Sequence, residues 1–164
     1  VLRRQLKVAI RLKKPITIHT READDDIYAA LTEIVPSEWN IHVHCYTDSL
    51  ELGKKLLDYY PNLVFGITGV VTYSSNKDTT LLLEHMATLP TPPRIVLETD
   101  SPFMIPSSLP LKELGLKNGQ KLPLSHSGQM PWTAEWVAKV LGGQWTTEKV
   151  VGLSRENAKR QYGV

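Results

Sequence analysis

Four short apolar runs constrain this chain more than any other feature. They are Ile16-Thr17-Ile18-His19-Thr20, Ile41-His42-Val43-His44-Cys45, Leu63-Val64-Phe65-Gly66-Ile67 and Arg94-Ile95-Val96-Leu97-Glu98-Thr99. They read as continuous rather than alternating, the pattern of a parallel sheet covered on both faces. The segments between them have helical spacing. Leu2, Leu6, Ala9, Ile10 and Leu12 share a face before Pro15, and Arg21 to Val35 carries Ile27, Ala30, Leu31 and Ile34 on one side, with Asp24, Asp25 and Asp26 in the first turns where the helix dipole favours negative charge. Asp48 followed by Glu51 resembles a capping box for a helix to Tyr60. A helix is expected over Asp78 to Leu89, then a long Pro- and Gly-containing loop from Ser101 to Met130, then helices over Trp132 to Leu141 and Thr147 to Tyr162.

Strands alternating with helices predict an α/β architecture. Four strands are half of what a (β/α)8 barrel needs, and 164 residues fall well short of its roughly 250. The chain opens without Met, inside a helix, so the expectation is a fragment. No compositional break marks a second domain, so residues 1–164 are read as one. No apolar run approaches the ~20 residues of a membrane helix. A single cysteine, Cys45, excludes an internal disulfide and points to a reducing compartment, cytoplasmic or nuclear. Net charge is +2, which permits a nucleic-acid partner without arguing for one.

The chemistry gathers at strand ends. The first strand ends on His19, the second on His44 and the fourth on Glu98 and Asp100. In α/β folds that edge collects ligands and catalytic groups. Imidazoles and a carboxylate side by side make a mixed N/O site for zinc, manganese or magnesium. Such a cation would also compensate carboxylates that a buried strand otherwise delivers at high cost. Taken singly, each histidine reads more readily as a hydrogen-bonded core residue than as a ligand, and Glu98 with Asp100 reads equally as a capping and ion-pair set. His42 has His-x-His spacing with His44 but lies one layer deeper and is read as structural. Cys45 is read as packing, and His85 and His126 as solvated.

Several strings resemble the TatD family of metal-dependent deoxyribonucleases: Ile18-His19-Thr20-Arg21-Glu22-Ala23, His44-Cys45-Tyr46-Thr47-Asp48-Ser49, Gly66-Ile67-Thr68-Gly69-Val70-Val71, Leu97-Glu98-Thr99-Asp100-Ser101-Pro102, and the terminal Arg4-Gln5-Leu6 and Glu156-Asn157-Ala158. The resemblance implies a TIM-type (β/α)8 barrel of the metal-dependent hydrolase type, present here as roughly its C-terminal half. It implies His19 and His44 as the fifth- and sixth-strand metal ligands and Asp100 as the eighth-strand ligand. The family's first-strand His-x-His pair and fourth-strand glutamate have no counterpart. Where the family often carries Arg-Asn-Glu-Pro, this chain has Ser127-Gly128-Gln129-Met130-Pro131.

The implied reaction is hydrolysis of DNA phosphodiester bonds, exonucleolytic, with one divalent metal ion (two in a full-length protein) activating water. Asp100 would ligate and act on that water, Glu98 would orient a ligand or meet substrate, and Arg21 would meet a phosphate. Arg21 reads equally as an ion pair with Glu22 or Asp25. Tyr46, Tyr73, Trp132 and Trp136 are candidate stacking faces, with Trp136 better placed in the core. The alternatives are a hydrolase of non-nucleic esters or amides, and an inactive half-barrel that self-associates through its open sheet.

Overall fold

The computed structural model describes residues 1–117, 120 and 122–164, so the middle of the expected long loop lies partly outside the described residues. The elements are α1 (Leu2–Arg11), β1 (Ile16–Ile18), α2 (Asp24–Ile34), β2 (Ile41–Val43), α3 (Leu50–Tyr59), β3 (Val64–Ile67), a 3-10 turn at Gly69–Thr72, α4 (Asp78–Thr88), β4 (Ile95–Leu97), a second 3-10 turn at Ser127–Gln129, α5 (Met130–Leu141) and α6 (Thr147–Tyr162). The strands form one sheet in the order β1-β2-β3-β4, every pair parallel. Parallel neighbours need a crossover, and the helices between the strands supply it.

The register aligns Ile18 with Val43, Val43 with Phe65, and Phe65 with Ile95. These residues are buried in a single apolar cluster that runs from Leu6 to Val150 and takes in α2 to α6. Side chains two apart share a face of a strand, so Thr17, His42, Gly66 and Val96 belong to the opposite face. On β1 that face is open: Ile16 and Ile18 are buried while Thr17 and His19 are exposed. The expected continuous burial therefore holds for β2 to β4 but not for β1.

Three local expectations change. Of the apolar face expected on α1, only Leu6 is buried; Leu2 and Leu12 are exposed, because this helix packs chiefly on α2. The cap of α3 is Ser49, whose hydroxyl accepts from Leu52 N at 3.1 Å, and not Asp48. Asp48 instead accepts from Glu22 N at 3.2 Å, joining the two loops that follow β1 and β2. Helix α5 starts two residues early, with Pro131 in its first turn, where its missing N–H costs nothing.

The outer edge of β4 is covered by α6. Leu97 N donates to Ser154 Oγ at 2.7 Å, and Asn157 Nδ2 donates to Ile95 O at 2.8 Å and Pro93 O at 3.2 Å. Side chains thus satisfy the backbone groups that an edge strand leaves unpaired. Replacing Asn157 with Ala strands buried carbonyls, so Asn157→Ala is expected to lower unfolding stability by about 1–3 kcal/mol in a denaturant titration, with α-helical circular dichroism retained.

Candidate metal centre

His19 directly follows β1, His44 directly follows β2, and Glu98 directly follows β4 with Asp100 two residues on. The sheet brings them together. The His19 and His44 rings lie 5.8 Å apart between centroids. His44 sits between the carboxylates: its Nδ1 is 2.8 Å from Glu98 Oε1 and its Nε2 is 3.4 Å from Asp100 Oδ1. Cys45 N donates to Glu98 Oε2 at 2.8 Å. His42 Nε2 lies 3.2 Å from Glu98 Oε1.

Glu98 reaches β2 from β4 by crossing β3, and it can do so only because β3 has Gly66 at the crossing. A Cβ on Gly66 would stand 1.8 Å from Glu98 Oε2 and 2.7 Å from His42 Nε2. A glycine inside an otherwise apolar strand marks a close approach. That signal stands in the sequence itself, in Val64-Phe65-Gly66-Ile67. Two further residues depart from ordinary backbone geometry: Cys45 (φ 45°) and Asp100 (φ 50°) are left-handed non-glycine residues. Such conformations cost about 1–3 kcal/mol each and persist where surrounding structure over-determines them. Here they turn the chain as it leaves β2 and β4.

The electrostatics follow from burial and donors. Burial alone raises the pKa of Glu98, but the hydrogen bond and charge of His42, the hydrogen bond from His44 and the Cys45 N–H outweigh it and hold the carboxyl below its usual range. For His44, burial lowers the pKa, but Glu98 and then Asp100 outweigh it and leave it above the usual value. An ionised Glu98 makes His44 Nδ1 the protonated nitrogen. Nε2 then faces Asp100 Oδ1 at 3.4 Å. Two electron-rich atoms at that distance repel unless a positive charge lies against both, a proton on Nε2 or a metal cation that displaces it. The donor set fits a divalent metal, and Glu98 plays the outer partner that sets a ligating histidine's tautomer. Among the described residues no group of three or more His, Cys, Asp or Glu is close enough to hold a metal ion by itself. His44 and Asp100 converge, with the His19 ring beside His44.

Of the other expected residues, Arg21 stays within electrostatic reach of Cys45, while the expected stacking faces Tyr46, Tyr73 and Trp136 are engaged elsewhere. Arg21 is exposed and, among the described residues, forms no ion pair, with Glu22 or Asp25 or otherwise. Tyr46 is not a stacking face: it is 1% exposed, meets Phe65 edge-on at 4.7 Å and donates to Ser49 O. Tyr73 is tied to Ile105 O at 2.9 Å, and Trp136 packs on the core. Asp24, Asp25 and Asp26 do more than complement the α2 dipole; with Glu22, Asp48 and Asp78 they line a cleft of about 590 Å³ beside the loops after β1 and β2. Ser127 to Gln129 form a turn whose Gln129 is buried, and Ser125, just before it, accepts from Ser101 Oγ, next to the end of β4.

The sequence matches the family described as TatD related DNase over residues 1–163. It is 35% identical over 164 residues to the human 3'-5' RNA nuclease TATDN2, covering all of this chain and 20% of that protein. Identity is 27% over 164 residues with the metal-dependent hydrolase YabD of Bacillus subtilis, all of this chain and 57% of that one. It is 28% over 163 residues with the 3'-5' ssDNA/RNA exonuclease TatD of Pantoea ananatis, 98% of this chain and 56% of that one. Among solved structures, a TatD family hydrolase from Entamoeba histolytica superposes with a TM-score of 0.69 at 17% identity, over 98% of this chain and 55% of the other. An amidohydrolase from Saccharomyces cerevisiae gives 0.71 at 17%, over 98% and 58%. The fold is thus the expected α/β type, with this chain spanning little more than half of each solved hydrolase.

If Gly66 exists to let Glu98 pass, Gly66→Ala should expel the carboxylate and weaken Mn²⁺ binding about tenfold or more, read by calorimetry, in line with loss of an outer ligand partner. A proton competes with the cation for His44 Nε2. Because the His44 pKa is raised, wild-type Mn²⁺ affinity should begin to fall at a higher pH on acidification than an ordinary histidine would allow, and binding should release a proton.

Proposed function

We propose, from the premise that this chain belongs to the TatD related DNase family, that it carries the metal-dependent hydrolase centre of a nuclease acting on single-stranded DNA phosphodiester bonds, from the 3' end. The observation that supports this most is the convergence of His44 Nε2 and Asp100 Oδ1 at 3.4 Å with the tautomer of His44 set by Glu98. The relatives named above act on RNA or on ssDNA and RNA in the same polarity, so RNA is the competing substrate of the same class.

A divalent ion bound there supplies charge that polarises a phosphoryl oxygen and acidifies water. Magnesium, manganese and zinc all suit a mixed imidazole and carboxylate set. The residues of this chain divide the rest. Glu98 keeps its proton off and holds His44 as a neutral Nδ1–H imidazole. His19 adds a second neutral imidazole from β1. Asp100, half-buried at the rim, holds the cation and accepts the proton lost by the attacking water. Arg21, exposed just past His19 and without a carboxylate partner among the described residues, meets a substrate phosphate. The chain spans between 20% and 57% of the length of the curated relatives named above, and the remaining ligands of a full shell would come from outside residues 1–164.

We also place any self-association at the open edge of β1, where Thr17 and His19 are exposed, and the protein in the cytoplasm or nucleus, on the strength of its one cysteine, which is buried and free. Asp100→Asn keeps the size of the side chain and removes the charge. It should lower metal-dependent release of 3' nucleotides from single-stranded DNA by about a hundredfold or more while leaving circular dichroism unchanged. Undiminished turnover by this variant, or hydrolysis of small esters or amides in place of nucleic acid, would overturn the assignment.

A further inference from the structure

Behind Glu98, away from the rim, the hydrogen bonding continues. His42 is 4% exposed. Its Nδ1 lies 2.5 Å from Tyr162 Oη, and the two rings meet nearly edge-on, 6.0 Å apart at 81°. Tyr162 Oη is also 3.1 Å from Thr17 Oγ1 on β1. On its other side His42 Nε2 has no well-directed partner, only Glu98 Oε1 at 3.2 Å. Tyr162 is the last residue of α6. Its position is held twice: Asn40, just before β2, donates to Arg160 O at 3.2 Å and Gln161 O at 3.4 Å, and left-handed Gly163 (φ 72°) ends the helix by donating to Lys159 O at 2.7 Å.

The 3.2 Å approach of His42 Nε2 to an ionised Glu98 favours one assignment of the donors in this row. An ionised carboxylate accepts only, so the His42 nitrogen facing Glu98 must carry a proton. Nδ1 of a neutral His42 is then an acceptor, and the hydroxyl facing it must donate. Tyr162 O–H therefore points at His42, and Thr17 O–H is free to donate to Tyr162. The direction runs Thr17 to Tyr162 to His42 to Glu98, where it meets the Nδ1–H of His44 arriving from the rim. A carboxylate held by His44 at Oε1 and the Cys45 N–H at Oε2, with the His42 ring against Oε1 at 3.2 Å, is fixed in rotation.

We propose that His42 and Tyr162 are positioning residues of the metal centre: the final turn of α6 sets the tautomer of His42, and through Glu98 the orientation of His44. The proposal rests on His44 holding the cation as described above, and it gives the C-terminal helix a part in the site that the sequence reading did not assign. A merely structural His42 would need only some hydrogen-bond partner for burial. A positioning His42 needs its proton on Nε2.

Histidine ¹⁵N NMR on the metal-free protein separates the two. The expected spectrum has His42 protonated on Nε2 and His44 on Nδ1. In Tyr162→Phe, which removes one hydroxyl, the His42 signals should shift toward a mixture of tautomers, with the melting temperature unchanged and Mn²⁺ affinity reduced several-fold. His42→Leu should weaken Mn²⁺ binding about tenfold, and His42→Gln, which keeps a donor toward Glu98, should recover most of that loss. An unchanged His42 spectrum in Tyr162→Phe, or equal Mn²⁺ affinities for His42→Leu and His42→Gln, would overturn the proposal. If His42→Leu fails to fold, the Tyr162→Phe spectrum decides alone. Absence of nuclease activity in the wild type would remove the functional reading, while the tautomers would still report on the hydrogen-bonded row.

Discussion

The carboxylate of Glu98 crosses one strand to reach another, and the site depends on that crossing. An ionised carboxyl this enclosed is expensive unless every lone-pair direction finds a donor. The structure supplies a backbone N–H from Cys45 and ring nitrogens from His44 and His42. All three come from five residues of β2 and its end, while the acceptor comes from β4. The strand between them must offer no side chain at that point, and Gly66 meets the condition. One glycine, one carboxylate and two histidines are therefore a single unit, and a change at any of them disturbs the others.

Two left-handed turns accompany that unit. Cys45 and Asp100 both leave their strands in the left-handed region. In Cys45 the turn points its N–H at Glu98; in Asp100 it carries the carboxylate back toward His44. The parallel sheet makes the arrangement possible, because parallel strands put all their C-terminal ends on one rim. The helices contribute beyond coverage. Helix α6 satisfies the exposed edge of β4 with Ser154 and Asn157, and its last residue touches His42 on β2. The same helix thus holds the outer strand of the sheet and reaches the residue beneath the site.

The order of strands and helices was legible from periodicity and from the prolines and glycines that interrupt it. Element ends shifted by a few residues, as where α2 begins at Asp24 and not Arg21. Asp48 as a cap for α3 failed for a specific reason: Ser49 is one residue closer to the first turn, and Asp48 is drawn instead to the Glu22 amide across the loops. Tyr46 failed as a stacking face because it follows the turn at Cys45 and points into the core against Phe65. No pattern along the chain encodes which way a residue points after a left-handed turn.

The sequence alone determined that His19, His44, Glu98 and Asp100 would stand at the ends of parallel strands, since apolar runs and breakers act over a few neighbouring residues. It also carried the motifs that place the chain in its family. Only tertiary structure decided which atoms meet. His44 finds Glu98 across 54 positions, and His42 finds Tyr162 across 120. Contacts at that separation depend on sheet register and on the empty space over Gly66, and those arise only when the strands are laid side by side.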